Sequence, residues 1–393
     1  MRIVIEKNNK NILHATFVIW LISEIIFAHT PIAQAALLLF TGFAILVVPM
    51  IQWPYMLTGY GLMILWSVMN ISTGHAVSRS LALDMTRTAV FCLIFMYGFF
   101  CYYRYVGNIR EILTIYAWVV TVFSCMCLVG GISSVLAGER LSTFGINANI
   151  IATQAGYALI FIVSELLREN KKQNKTVRGM QIALFVLTIL LTGSRKGLII
   201  PVLGIYLLVA FRRSHRFWIY TVVAVAAGCI ALWMMLNIPV LYRLVCYRVE
   251  PVLLYFQQAD FDEGSLETRL SFIRLAWNES KEAPLWGHGL DCFRKLRYSY
   301  GTYSHCNYME ILYSLGWPGL FFYYMPYLCV FFRIPQMMHR NRELAVLLLA
   351  FFMPFIVCDY FNVTYFSRVM LSIPAIVMFS LSEEKNDEPK KIA

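Results

Sequence analysis

One histidine stands in a polar, tyrosine-rich segment that runs directly into a long apolar stretch. This residue, His305, follows Tyr303 and precedes Asn307 and Glu310. An imidazole with an ordinary pKa of about 6.5 is a useful general base near neutral pH, and tyrosine rings are common platforms for sugars. A structural role is the alternative for a lone histidine. A carboxylate that enters a membrane needs a partner, so Glu310 is expected either to orient His305 or to pair with an arginine.

A second candidate site is the turn Leu-Thr-Gly-Ser-Arg-Lys-Gly at residues 191–197. Its glycines and serine would let backbone N–H groups approach a phosphate, and Arg195 would supply a two-pronged hydrogen-bond donor. Lys196 adds a second cation. The alternative is that both residues only anchor the turn at the membrane interface, with their aliphatic stems in the apolar region and their charges in water.

A third candidate is the run Arg-Leu-Ser-Thr-Phe-Gly-Ile-Asn-Ala-Asn at residues 140–149. Asn149 is expected to cap the helix that follows, and capping alone would explain it. Arg140 and Asn149 lie on the same predicted face as Arg195, so they also suit a site for a sugar or a phosphate. Both interpretations stay open at this point.

No metal-binding motif accompanies these groups. The sequence has no HExxH motif, no paired carboxylates and no histidine cluster, so neither a metal nor a cofactor is expected. Arginines would then neutralise a phosphate leaving group, a task that divalent cations perform in other enzymes. Of the ten cysteines, three share one polar loop (Cys246, Cys292 and Cys306), and whether any two of them are bridged is left open.

The composition places these residues in a membrane protein. Hydrophobic residues make up 59% of the 393-residue chain, charged residues make up 14%, and the mean hydropathy is +0.64. A soluble chain is about 45–50% apolar and about 25% charged, so polar side chains could not cover a water-soluble fold of this size. The net charge of +11 could suggest nucleic acid, but in a membrane protein the placement of the charges matters. No nucleic-acid partner is expected.

Apolar runs that are long enough to cross a membrane recur along the chain. A helical span needs about 20 residues, and the absence of alternating polarity favours helices over a β-barrel. We therefore predict an all-α polytopic membrane protein, one membrane domain over residues 1–393, with about twelve transmembrane helices. The predicted spans are 12–28, 33–52, 54–72, 87–103, 111–130, 149–167, 178–192, 197–211, 217–237, 308–332, 343–358 and 364–381.

The basic residues predict the orientation of these spans. With the N-terminus inside, nineteen Lys and Arg residues fall in inner segments and six in short outer loops, as the positive-inside rule requires. Both termini are therefore expected in the cytoplasm. The first span is expected to be retained rather than cleaved as a signal peptide.

One long outer loop, residues 238–307, separates the ninth and tenth spans. An apolar stripe at helical spacing within it predicts a helix that lies on the outer membrane surface. Arg269 and Arg274 flank the stripe at about 70° to either side, which would place two guanidinium groups at its edges. The stripe comprises Leu266, Leu270, Ile273 and Trp277.

Taken together, these motifs resemble the bacterial O-antigen ligase and O-antigen polymerase family, whose members act on undecaprenyl-diphosphate-linked glycans. The order of the motifs around one long outer loop carries the resemblance, since each motif is weak alone. The matching pieces are the runs 140–149 and 191–197, Thr268-Arg269, Pro284-Leu285-x-Gly287-x-Gly289, Ser304-His305-x-Asn307-Tyr308 and Leu315-Gly316-Trp317-Pro318-Gly319-Leu320. Cys306 departs from the family pattern at a small-residue position.

The resemblance implies a GT-C-like glycosyltransferase architecture on the outer face of the bacterial plasma (inner) membrane. It implies a metal-independent, inverting transfer in which an acceptor hydroxyl attacks the anomeric carbon of the glycan and undecaprenyl diphosphate leaves. His305 would be the general base, and Arg195 and Arg269 would bind the diphosphate. Auxiliary donor or acceptor binding is expected from Arg140, Asn149, Lys196, Arg274, Asn307 and Glu310.

Several functions remain as alternatives. A surface-polysaccharide polymerase is preferred over an O-antigen ligase, because nothing in the sequence points to a lipid A–core acceptor. A lipid-linked oligosaccharide flippase would need a polar pathway through the bundle, whereas the arginines cluster on one outer face; a purely structural membrane protein comes third. The expected partners are the undecaprenyl-diphosphate-linked oligosaccharide, an acceptor glycan (a lipid-linked repeat unit or lipid A–core), membrane lipids and a chain-length regulator.

Overall fold

The computed structural model is mainly helical over the residues that it describes, where β-structure is limited to one isolated bridge between Thr143 and Ile146. The described residues are 2–27, 30–48, 53–137, 139–168, 174–212, 218–219, 221–222, 233, 237 and 264–383.

Twelve main α-helices, numbered here in chain order, make up the described fold. They are α1 Arg2–Ile26, α2 Pro31–Val47, α3 Thr58–Ser72, α4 Arg79–Val106, α5 Ile109–Leu136, α6 Ala148–Leu166, α7 Lys175–Thr192, α8 Arg195–Arg212, α9 Gly264–Ser280, α10 Asn307–Arg340, α11 Arg342–Cys358 and α12 Arg368–Glu383.

These helices confirm the predicted all-α polytopic class. Within the described ranges, α4, α5, α6, α7 and α10 are long and apolar enough to cross a membrane. Each predicted span apart from the ninth contains a helix. The ninth, 217–237, lies largely outside the described residues, as does the part of the predicted outer loop that covers 238–263.

Contacts between segments define two ends of the helix bundle. At the first end, which we call the His305 end, Leu141 N–H donates to Leu191 O (2.9 Å) and Lys196 Nζ donates to Asn362 Oδ1 (3.2 Å). At the opposite end, which we call the Arg212 end, Arg110 pairs with Glu165, and Arg168 Nε lies 3.2 Å from Glu343 Oε2. The helix α8 runs from the first end to the second.

The helix α9 packs on the bundle through two apolar residues that are not part of the predicted apolar stripe. Its buried apolar residues, Phe272 and Ala276, pack in one cluster with Phe293 and Tyr313, whereas Trp277 of the predicted stripe is 42% exposed. The helix packs against α10 and neighbouring loop residues, and the contact of the stripe with the outer membrane surface stays a prediction. A stripe read from one helix takes no account of which neighbours that helix meets.

Two segments that contain predicted motifs, residues 284–289 and 313–317, are joined by backbone hydrogen bonds at the His305 end. His288 N–H donates to Tyr313 O (3.0 Å), and Trp317 N–H donates to Pro284 O (2.9 Å). Gly287 and Gly316 both have positive φ, of 70° and 66°, and a Cβ atom on either would lie about 2.4 Å from the opposing backbone. Glycine is therefore required at both positions, and the kink of α10 at Gly316 is fixed by the loop that crosses it.

Candidate active site

A cavity of about 280 Å³ lies at the His305 end of the bundle. It brings together segments that are far apart in sequence: α1, the starts of α6 and α8, α9, the residues before α10 and the loop before α12. Four of the predicted site residues line it: Asn149, Lys196, Arg269 and His305. Other polar residues in the lining are Glu24, Asn147, Thr153, Gln154, Tyr303, Asn362 and Ser367.

A strained backbone conformation and a buried carboxylate position His305. The residue has φ of 60°, a region that few non-glycine residues adopt and that occurs preferentially at functional sites. The preceding residue, Ser304, donates its backbone N–H to Glu310 Oε2 at 2.7 Å. Glu310 therefore helps to hold the loop that carries His305, while its direct orientation of the imidazole or pairing with an arginine stays a prediction.

Two aromatic rings enclose the imidazole of His305. The Tyr303 ring centroid lies 4.4 Å away, and the Phe272 ring is almost parallel to the imidazole, with an interplanar angle of 7° and a centroid distance of 6.1 Å. The helix α9 thus contributes twice to the site, with Phe272 against the histidine and Arg269 in the cavity wall.

Burial and two cations control the protonation of this histidine. Burial has the largest effect, the charges of Arg269 and Lys196 follow, and together they lower the pKa of His305 to about 4. The two cations come from other segments of the chain, and the burial comes from the fold around the loop. At neutral pH the imidazole is uncharged and can accept a proton.

The other predicted diphosphate ligand, Arg195, is placed differently from Arg269. It is the first residue of α8 and does not line the cavity, whereas its neighbour Lys196 does. On α9, Arg274 is exposed and is also absent from the cavity lining. The structure therefore brings Arg269 and Lys196 to His305, and leaves Arg195 and Arg274 outside the lining.

Arg140 and Asn149 fasten the 191–197 turn. Arg140 donates from Nε to Thr192 O (2.8 Å) and from Nη2 to Asn149 Oδ1 (3.2 Å). Ser194 Oγ donates to the same Asn149 oxygen at 2.8 Å. These bonds fix the start of α8, and with it Lys196, against the start of α6.

One local prediction about these turns was wrong. The N-terminal cap of α6 is Asn147, whose Oδ1 accepts from Asn149 N–H at 2.9 Å, because the Asn149 side chain is engaged by Arg140 and Ser194. Both glycine amides of the 191–197 turn donate to partners within the protein. Gly193 N–H donates to Leu190 O, and Gly197 N–H donates to Ser194 Oγ.

Asn307 lies outside the cavity lining and is fully buried. Its Oδ1 accepts from Thr364 N–H (2.9 Å) and Tyr365 N–H (3.1 Å), and its backbone N–H donates to Asp359 O (2.7 Å). These bonds join the start of α10 to the 359–367 loop, which carries Asn362 into the cavity. Asn307 therefore positions two walls of the site.

An ion pair that motif reasoning did not select borders the cavity. Glu24 Oε1 lies 2.9 Å from Arg368 Nε, and both side chains are about 95% buried. Glu24 also lines the cavity, and its Oε2 atom has no hydrogen bond to the described residues. One feature of the sequence could have indicated this pair: Glu24 and Arg368 are each a charged residue near the end of an apolar run.

Within the described ranges, no three His, Cys, Asp or Glu side chains converge as a metal site. Cys292 and Cys306 are both buried free thiols, so the two are not bridged to each other. Cys246 lies outside the described residues.

The helices define a multi-pass, all-α membrane protein, and the polar cavity at one end of them is its candidate functional site. Residues 181–324, a little over a third of the chain, match the family model described as O-antigen ligase. The matched region contains Lys196, Arg269 and His305 but not Glu24, Arg140 or Asn149. No curated protein matched the chain.

Proposed function

We propose that this protein transfers a glycan from undecaprenyl diphosphate to an acceptor sugar hydroxyl at the outer face of the bacterial plasma membrane, as a surface-polysaccharide polymerase. The observation that carries the proposal is the cavity in which a neutral histidine lies beside two cations. These are the groups that such a transfer requires: a base for the acceptor and positive charge for the leaving group.

In the proposed reaction, the acceptor oxygen attacks the anomeric carbon from the face opposite the diphosphate, which inverts the configuration. The bond between the anomeric carbon and the phosphate oxygen breaks, and its electron pair leaves with undecaprenyl diphosphate. An imidazole nitrogen of His305 takes the acceptor proton. Arg269 and Lys196 stabilise the charge on the departing diphosphate, so the proposed transfer proceeds without a divalent metal.

The charges in the cavity would couple donor binding to base strength. Arg269 and Lys196 both lower the pKa of His305. A bound diphosphate offsets these positive charges, so the pKa of His305 rises when the donor is in place. A stronger base is thereby produced only in the complex that needs it.

Polymerase and ligase activities differ in the acceptor. Purified protein supplied with a lipid-linked repeat unit as donor is expected to lengthen a second lipid-linked repeat unit. Transfer to lipid A–core instead would make the protein a ligase. Movement of the lipid-linked donor across the membrane without any transfer would favour a flippase.

The test of the mechanism is His305→Ala. General-base catalysis is worth about 10²- to 10⁴-fold, so transfer should fall by at least that range while donor binding and abundance stay near those of the wild type. The matched control is His288→Ala. His288 stacks on Tyr313 and lies within 3.1 Å of Glu279 O, outside the cavity lining. A His305→Ala variant that keeps full activity would contradict the proposed base, and so would equal losses in two folded variants.

A further inference from the structure

A second cavity, of about 330 Å³, lies at the Arg212 end of the bundle. It opens between α5, α6, α8 and α11, and four of its lining residues are arginines. Lys196 and Arg212 are separated by sixteen residues of α8, which corresponds to about 24 Å along the helix axis. The second cavity is therefore separate from the candidate active site. Its arginines are Arg110, Arg168, Arg212 and Arg342.

The charge in this cavity is positive although it contains ion pairs. Glu165 pairs with Arg110, and Arg168 Nη1 lies 3.5 Å from the same Glu165 oxygen. Glu343 pairs with Arg168. Four guanidinium groups thus face two carboxylates among the described residues, which leaves an excess of positive charge in a space partly shielded from water.

Apolar residues form another part of the cavity lining, beside Ser164 and Glu343. Leu167, Leu208 and Val346 form part of the wall, next to the guanidinium groups. A fully hydrated anion makes no favourable contact with apolar side chains. A phospholipid carries its phosphate directly beside its apolar chains, so it can contact both parts of the lining. Guanidinium groups bind phosphate oxygens through two parallel hydrogen bonds, and basic pockets between transmembrane helices are suitable sites for anionic headgroups.

We propose that this cavity binds the phosphate group of an anionic phospholipid. The bound lipid links α5, α6, α8 and α11 where they end, and so stabilises the helices that carry Asn149 and Lys196 at the other end. With the predicted orientation, the lipid comes from the cytoplasmic leaflet. This site takes no part in the proposed glycosyl transfer, so it can be tested without measuring that reaction.

The experiment measures the thermal unfolding temperature of the full chain in detergent as lipid is added. Phosphatidylglycerol should raise this temperature in a saturable way, and zwitterionic phosphatidylcholine should raise it much less. Arg212→Gln should need at least about tenfold more phosphatidylglycerol for half of the effect, because a charge-assisted hydrogen bond is lost. The control is Arg104→Gln, a residue near the end of α4 that does not line the cavity; it should respond like the wild type.

A further arm of the experiment identifies the source of the phosphate. Inorganic phosphate that stabilises the wild type at millimolar concentration, but not Arg212→Gln, would assign the anion site to a soluble phosphate. If Arg212→Gln does not fold, the wild type in about 1 M salt serves instead, since screening should then abolish most of the phosphatidylglycerol effect. Equal stabilisation by the two lipids, equal responses of the two variants, or no response to lipid or phosphate would overturn the proposal.

Discussion

Arg269 offers the most discriminating test of the proposed site, since one substitution should change both the rate and its pH dependence. Arg269 lines the cavity and lowers the pKa of His305. In Arg269→Gln the diphosphate loses a charge-assisted hydrogen bond worth about 1.5–3 kcal/mol, so kcat/KM should fall by about 10- to 150-fold.

The pH dependence follows from the sign of the pKa shift. His305 accepts a proton only when it is neutral, so activity falls as the pH drops through its pKa. With that pKa lowered to about 4, the wild type should keep its kcat/KM from neutral pH to about pH 5. Removing one of the two cations raises the pKa of His305, so the acid limb of Arg269→Gln should move to higher pH. The pKa of His305 in this variant should stay below the ordinary value of about 6.5, because burial and the charge of Lys196 still lower it.

The assay is release of undecaprenyl diphosphate from a lipid-linked donor, measured across pH at matched protein abundance. The control is Arg274→Gln on the same helix, since Arg274 is exposed and lies outside the cavity lining. It should change neither the rate nor the acid limb appreciably. Equal losses in the two variants would show that α9 contributes only general positive charge. An acid limb of Arg269→Gln that stays in place would refute the electrostatic coupling to His305.

Three further predictions address topology, metal dependence and the buried ion pair. In intact cells, a membrane-impermeant thiol reagent should label a cysteine that replaces Lys281 and spare one that replaces Lys175, because the predicted orientation places the two on opposite sides; the reverse pattern would invert the assignment. Chelation of divalent cations should leave transfer unchanged, since the cavity supplies its own cations; activity restored only by added metal would contradict the arginine and lysine mechanism. Glu24→Gln should lower the yield of folded protein, because it leaves Arg368 buried without its counter-charge. The double variant Glu24→Gln/Arg368→Gln should recover part of that yield, and no recovery would show that the pair does not act as a unit.

The sequence alone was sufficient to predict the class of protein and to locate the motifs. Apolar runs of membrane-spanning length can satisfy their backbone hydrogen bonds only as helices or as a closed barrel, so the helical class followed from composition and pattern. The motifs that carry the resemblance to the O-antigen ligase and polymerase family lie within short stretches of chain, so they were equally visible. These stretches contain Lys196, Arg269 and His305, three residues of the predicted site. All three line one cavity in the structure.

The tertiary structure decided which residues share the cavity and which support it from outside. Glu24 and Arg368 are 344 residues apart, and no local pattern in the sequence links them. The buried face of α9 depends on the segments that pack against it. The spacing of apolar residues within α9 does not reveal that Phe293 and Tyr313 pack against it. The low pKa of His305 has the same origin, since burial and the distant charges of Arg269 and Lys196 exist only once the chain is folded.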